Sequence, residues 1–167
     1  MAYTMYDATV PTITRALTNL SKILDKAAAQ AKAEGRSESE LLEARLAPDM
    51  YPLPRQIHSA SDAAKSTVAR LAGVEVPSMP DTEQTFPELQ QRIAKTLDFI
   101  KTVKPEQFAG AEDREVVLKF PNGEMKFAGR DFAAMFALPN FFFHVTAAYA
   151  ILRHKGIAIG KMDFLGG

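Results

Sequence analysis

The chain predicts an all-α fold: a four-helix bundle with a long crossover between its second and third helices and a small β-hairpin before the fourth. Three observations carry this. Four separate segments repeat apolar residues at gaps of three and four between capping residues. The proline-rich, aperiodic stretch Gly73–Gln84 is too long for a tight turn. Alternating β-like residues occur only beside Pro121–Gly123. With 167 residues and no repeat or linker, a single domain over 1–167 is expected, large enough to bury a core without staples.

The first helix carries Val10, Ile13, Leu17, Leu20, Leu24, Ala27 and Ala31 on one seam. Asp7 or Thr9 is the expected start, Pro11 fits the first turn, and Gly35 is the stop. The SESE run Ser37–Glu40 offers a capping box for a short helix over Leu41–Leu46. Pro48, Pro52 and Pro54 then punctuate a connection. The second long helix is expected from Pro54 to Ala72, with Ile57, Ala60, Ala64, Val68 and Leu71 on one face and Gly73 as its cap.

Thr85 and Glu88 form a capping box for the third helix, whose face reads Leu89, Ile93, Leu97, Ile100 and Val103 until Pro105 ends it. Glu115–Phe120 and Glu124–Phe127 flank PNG as a hairpin that must pack on the helices, since two strands alone are marginal. Asp131 caps a short helical stretch, Phe132–Ala137. Pro139 restarts the fourth helix and Gly156 ends it. The tail GIAIGKMDFLGG is too apolar for a free end and is expected to dock through Ile157, Ile159, Met162, Phe164 and Leu165.

Lys+Arg and Asp+Glu are 20 each, so the electrostatic footprint of a nucleic-acid binder is missing. No cysteine is present, which removes disulfide scaffolds, thiolate metal sites and cysteine nucleophiles together. The N-terminus lacks the charged and apolar regions of a signal peptide. The most apolar segment, Phe132–Leu152, is interrupted by Pro139, Asn140, His144 and Thr146, which makes a membrane span a poor reading. The expected setting is cytoplasmic, with no nucleic acid and no membrane as partner.

The chain's three histidines are the candidate chemistry. His58 borders the apolar face of the second helix, and Asp62 follows one turn later on the same stripe. It is either a core-edge histidine oriented by a carboxylate or a metal ligand with Asp62 beside it. His144 follows Phe141, Phe142 and Phe143, which sweep about 200° of arc and cannot all face one core. A buried imidazole there needs a partner, and Asn140 stands four residues earlier on its stripe. The small Ala147 and Ala148 leave room for either a pocket or close packing. His154 lies in the last turn with Arg153 and Lys155, where cations complement the helix dipole. Nucleophile-elbow, phosphate-loop, HExxH and EF-hand patterns are all missing.

The order of helices, the early histidine of the second helix and the histidine-bearing fourth helix resemble the DinB/YfiT-like metalloenzyme superfamily. The stretch ALPNFFFHVTAAYAILRHKGIAIGKMDFLG, Ala137–Gly166, is similar to the C-terminal signature of a branch defined by a domain of unknown function. The resemblance implies a dimeric four-helix bundle with a three-histidine metal site: one ligand from the second helix and an HxxxH pair from the fourth. His58 then matches the first ligand and His144 one of the pair. The positions four residues away hold Asn140 and Ala148. Alanine cannot ligate, and Asn140, Asp62 or Asp49 would have to supply a weak third ligand to zinc or nickel.

Two functional readings follow. One is a small-molecule enzyme of thiol transferase, isomerase or hydrolase type. In it, His58 and His144 hold a divalent ion that activates water or a thiol. Its metal-free version uses His144 as acid/base beside an oriented His58–Asp62 pair. The other is a non-catalytic dimeric bundle binding a small ligand or a protein partner. Both readings expect a homodimer with Phe141–Phe143 in or near the interface, and a pocket lined by both His58 and His144 while His154 lies outside.

Overall fold

Thr4 sets the start of the first helix, α1 (Met5–Ala33), in a computed structural model that describes residues 3–167. Its hydroxyl accepts the Asp7 N–H, while the Asp7 carboxylate accepts the Thr4 N–H. Asp7 is therefore the third residue of the helix and not its cap. Pro11 consequently lies inside the helix, where it cannot donate to the Asp7 carbonyl. The Tyr3 hydroxyl donates to that carbonyl instead, at 3.1 Å.

Helix α2 (Glu38–Leu42) is earlier and shorter than the SESE run implies. The Ser37 hydroxyl bonds the Ser39 hydroxyl, so no capping box forms. Helix α3 (Leu53–Ala72) ends at Gly73, whose φ of 71° is the left-handed conformation that glycine adopts without strain. The crossover then runs without helix or strand to Thr85, which caps α4 (Phe86–Thr102) through the expected box with Glu88. Pro105 opens a short 3₁₀ turn, Pro105–Phe108.

Strands β1 (Glu115–Phe120) and β2 (Gly123–Ala128) pair antiparallel, with Phe120 opposite Gly123 across a loop of Pro121 and Asn122. Val116 and Leu118 are buried, which is how this hairpin obtains the support it lacks alone. From Gly129 to His154 the chain forms one unbroken helix, not two segments. It comprises α5 (Gly129–Asp131), a π-helical stretch over Phe132–Ala137, and α6 (Leu138–His154). In that stretch the Leu138 N–H reaches back five residues to the Ala133 carbonyl. The wider turn accommodates Pro139, which offers no N–H and would clash with the preceding turn of a regular helix. By length and composition this helix could cross a membrane. Phe132, Phe141, Val145, Ala148, Ile151 and Leu152 are instead committed to the core.

Helices α1 and α3 each pack against both α4 and α6. The resulting core buries Ile13, Leu17, Leu20, Leu24, Ile57, Val68, Leu89, Ile93, Phe141 and Ile151. Each such side chain contributes about 1.5–3 kcal/mol on burial.

The tail docks, mainly through its backbone. Arg15 donates to the carbonyls of Leu165 and Gly166, Asn19 donates to that of Phe164, and Lys26 pairs with Asp163. These contacts hold the last helix, α7 (Lys161–Leu165), against α1. Ile157 and Ile159 are buried and Phe164 packs on Phe142 and Tyr149. Met162 and Leu165, expected to pack as well, remain exposed.

Gly129 is set by a close approach: a Cβ there would overlap the Ala111 carbonyl oxygen and lie 3.3 Å from Leu71. Gly129→Ala should cost about 1–3 kcal/mol in urea unfolding. Gly160→Ala, which meets nothing within 4 Å, should change stability by no more than about 0.5 kcal/mol. Deleting Lys161–Gly167 should lower the Tm by removing the docked tail, read by circular dichroism.

Candidate functional site

Helix α3 carries two polar stripes on different sides. At about 100° per residue, Gln56 and His58 are separated by about 200°. Gln56, Ser59, Ala63, Ser66 and Thr67 share the side toward the end of the π turn and α6. His58, Ser61 and Lys65 share the side toward α4 and the crossover. Asp62 falls between the two stripes.

On the second side lies Arg92 of α4, a guanidinium whose side chain is completely buried. It pairs with Asp62 at 2.8 Å, Asp81 at 2.9 Å and Glu83 at 3.2 Å, and donates to the Pro80 carbonyl and the Ser61 hydroxyl. Lys65 adds a 2.9 Å contact to Asp62 and donates to the Pro77 carbonyl. His58 is buried beside this network, with Nε2 3.1 Å from a Glu83 oxygen. That oxygen lies off the hydrogen-bonding direction, leaving the buried Nε2 without a hydrogen bond among the described residues. Burial, and then the Arg92 charge, push the His58 pKa down, against the pull of Asp81, Glu83 and Asp62. His58 is therefore held neutral.

On the first side a cleft of about 370 Å³ opens between α3, Leu118 of the hairpin and the π turn. Ser59, Asp62, Ser66, Thr67, Asn140 and His144 give it a polar wall, and Leu118, Phe132 and Phe136 an apolar one. His144 is half-buried there, and burial lowers its pKa too. Its Nδ1 lies 2.8 Å from the Gln56 Oε1. The Gln56 amide is oriented by its other end, because its NH₂ donates to the Tyr51 carbonyl. The oxygen must then face the imidazole, so Nδ1 carries the proton and donates. Nε2 is left as the unprotonated nitrogen, with no hydrogen bond to the described residues.

Three of the residues singled out from the sequence, His144, Asp62 and Asn140, thus line one cleft. His58 does not, which corrects the expected shared pocket: two residues along a helix is enough to turn it toward a different neighbour. His144 takes Gln56 and not Asn140 as its partner. Asp62 serves Arg92 and Lys65, so the His58–Asp62 pair does not form as a hydrogen bond. Asp49 and His154 lie outside the cleft.

These donors do not fit the three-histidine centre that the family resemblance implies. The two imidazoles point to separate surroundings, and the nearby carboxylates Asp62, Asp81 and Glu83 are paired with the buried Arg92 guanidinium. Among the described residues no group of three His, Asp or Glu is arranged to hold a metal ion.

Gln56, Glu83 and Arg92 were not singled out in the sequence. Arg92 had a legible signal: it lies between Leu89 and Ile93 on an otherwise apolar stripe, where an arginine must find buried partners. Gln56 had none beyond sharing a helix with His58.

The family model for a domain of unknown function, DUF1993, matches residues 5–165. A crystal structure of a DinB family member from Shewanella denitrificans is similar at 40% identity with a TM-score of 0.91, covering 98% of this chain and 92% of that one. No curated protein matches this chain.

Both lowered histidine pKa values make stability depend on pH. A neutral histidine in the fold takes up its proton at lower pH than in the unfolded chain, where the value is near 6.5. The unfolded state therefore binds more protons below that pH, and stability should fall as pH drops through 6.5 toward the folded values. Urea midpoints measured from pH 7.5 to 5.5 should decline, and His144→Gln should flatten part of the decline.

Proposed function

The chain belongs to the DUF1993 branch of the DinB family, and from that premise we propose that it is a small-molecule enzyme whose general base is His144. One observation carries this reading. A neutral imidazole, fixed in one tautomer by Gln56, presents an unprotonated Nε2 in a cleft with both a polar and an apolar wall. A base at the mouth of a preformed pocket is what proton-transfer chemistry requires.

His144 Nε2 takes a proton from a substrate O–H, N–H or S–H. Through Nδ1–H the imidazolium keeps its hydrogen bond to Gln56, a neutral oxygen rather than a carboxylate. That partner orients the ring without strongly holding the charge, and the burial that lowers the pKa favours giving the proton back. Ser59, Ser66, Thr67 and Asn140 supply the donors and acceptors that position a substrate. No step in this scheme passes through a metal, and calorimetric titration with zinc or nickel should show no tight site involving His58 and His144.

Nitrogen-15 spectra of the imidazoles should show His144 as the Nδ1–H tautomer, and Gln56→Leu should erode that preference. His144→Ala should reduce turnover by about 10²–10⁴-fold in a screen of hydrolysis, isomerisation and thiol-transfer substrates. Binding without any turnover in wild type would favour the non-catalytic reading.

The homodimer we propose uses the outer face of α6. Phe141 is in the core and Phe142 packs on Phe164, whereas Phe143 is 57% exposed. It adjoins an apolar groove lined by Leu46, Met50, Phe142, Thr146, Ala147 and Ala150. A two-fold axis beside this groove lets each copy seat its Phe143 in the other. Light scattering at micromolar concentration should give a dimer mass, and Phe143→Lys should give a monomer.

A further inference from the structure

The charge pattern of the His144 cleft points to its substrate class. Resting on the reading of that cleft as the catalytic site, we propose that it binds a small cationic amine with an apolar body and discriminates against carboxylates and phosphates.

No lysine or arginine lines the cleft, and its one charged lining residue is Asp62. Arg70 of α3 stands at the cleft edge, where Nε donates to the Ser66 hydroxyl at 2.9 Å and a terminal nitrogen donates to the Val117 carbonyl. The other nearby cations are engaged elsewhere. Lys65 and Arg92 both contact Oδ1 of Asp62, from the crossover side. Arg55 lies over the Tyr51 ring at 4.6 Å. Oδ2 of Asp62 accepts no hydrogen bond from the described residues, and the side chain is 46% exposed. Within the network, Arg92 and Lys65 face Asp62, Asp81 and Glu83, which leaves one negative charge in excess. An anionic substrate would meet that charge with Arg70 as the one adjacent cation, and that guanidinium already donates to Ser66 and to the Val117 carbonyl. An ammonium can take Oδ2 directly.

The opposite wall defines the rest of the ligand. The π turn brings Phe132 and Phe136 to the cleft, stacked at a centroid distance of 6.2 Å, with Leu118 beside them. π-Helical turns recur at functional sites because they re-aim side chains that a regular helix would turn away. An apolar body against these rings, with its amine at Asp62, leaves a substrate N–H or O–H for His144.

The test uses three probes with one common body: 2-phenylethylamine, 2-phenylethanol and 3-phenylpropanoate, titrated into the full chain and followed by amide NMR. The amine should shift Asp62, Ser66, Thr67, Asn140 and His144, and bind about three- to tenfold more tightly than the carboxylate. Because Asp62 also neutralises Arg92, Asp62→Asn risks unfolding. Asn140→Asp instead adds a second carboxylate at a residue whose side chain makes no hydrogen bond to the described residues, and should tighten the amine while weakening the carboxylate. Carboxylate or alcohol binding in the cleft at least as tightly as the amine overturns the charge class and leaves the cleft standing as a site. Shifts confined to other surfaces, or no binding by any probe at millimolar concentration, overturn both.

Discussion

A single buried cation organises one half of this molecule. The Arg92 guanidinium has no access to water, so its charge must be met inside the protein. Three carboxylates, a carbonyl and a hydroxyl meet it, and they come from two places: α3 and the crossover that leads to α4. The requirement to pair this charge is what gives an otherwise aperiodic loop a defined path. Removing one partner from such an arrangement typically costs about 3–5 kcal/mol, because the remaining charge stays buried.

The same requirement reaches the chemistry on both sides of α3. Next to Arg92, His58 is kept neutral by burial and by the cation, and its neighbouring carboxylates are already committed. Asp62 is held at the boundary with Oδ1 on Arg92 and Lys65, and its half-exposed side chain also lines the cleft. A residue that anchors the core thereby also supplies the cleft's charge. His144 is arranged by a separate and uncharged chain of contacts, from the Tyr51 carbonyl through the Gln56 amide to Nδ1. The two histidines that the family resemblance pairs as ligands are thus divided between an ionic network and a neutral one.

Backbone irregularity serves the cleft as well. Pro139 forces the preceding turn to widen, and that turn carries Phe132 and Phe136 into the cleft wall. A continuous helix with one wide turn satisfies both the missing N–H of proline and the need to keep Phe141, Val145 and Ile151 in register with the core. Breaking the helix at Ala137, as its sequence implies, would have cost the hydrogen bonds that the π turn preserves.

Local pattern by itself determined the long helices, their glycine and capping-box ends, the crossover, the hairpin and the docking of the tail. Those features depend on neighbours three or four residues apart, or on φ preferences, and they need no knowledge of distant contacts. The short-range readings that failed lost to a competing local group: Thr4 displaced Asp7 as a cap, and Ser39 took the Ser37 hydroxyl from its box. His144, Asp62 and Asn140 were recognisable as candidates because polar residues on apolar stripes need a reason. Which groups would answer them was decided only by the tertiary structure. Two residues along α3 reverse the direction of a side chain, so whether His58 meets His144 or Glu83 depends on how α3 is rotated between α4 and α6. That rotation is fixed by the packing of the whole core and by the demand of Arg92 for its carboxylates.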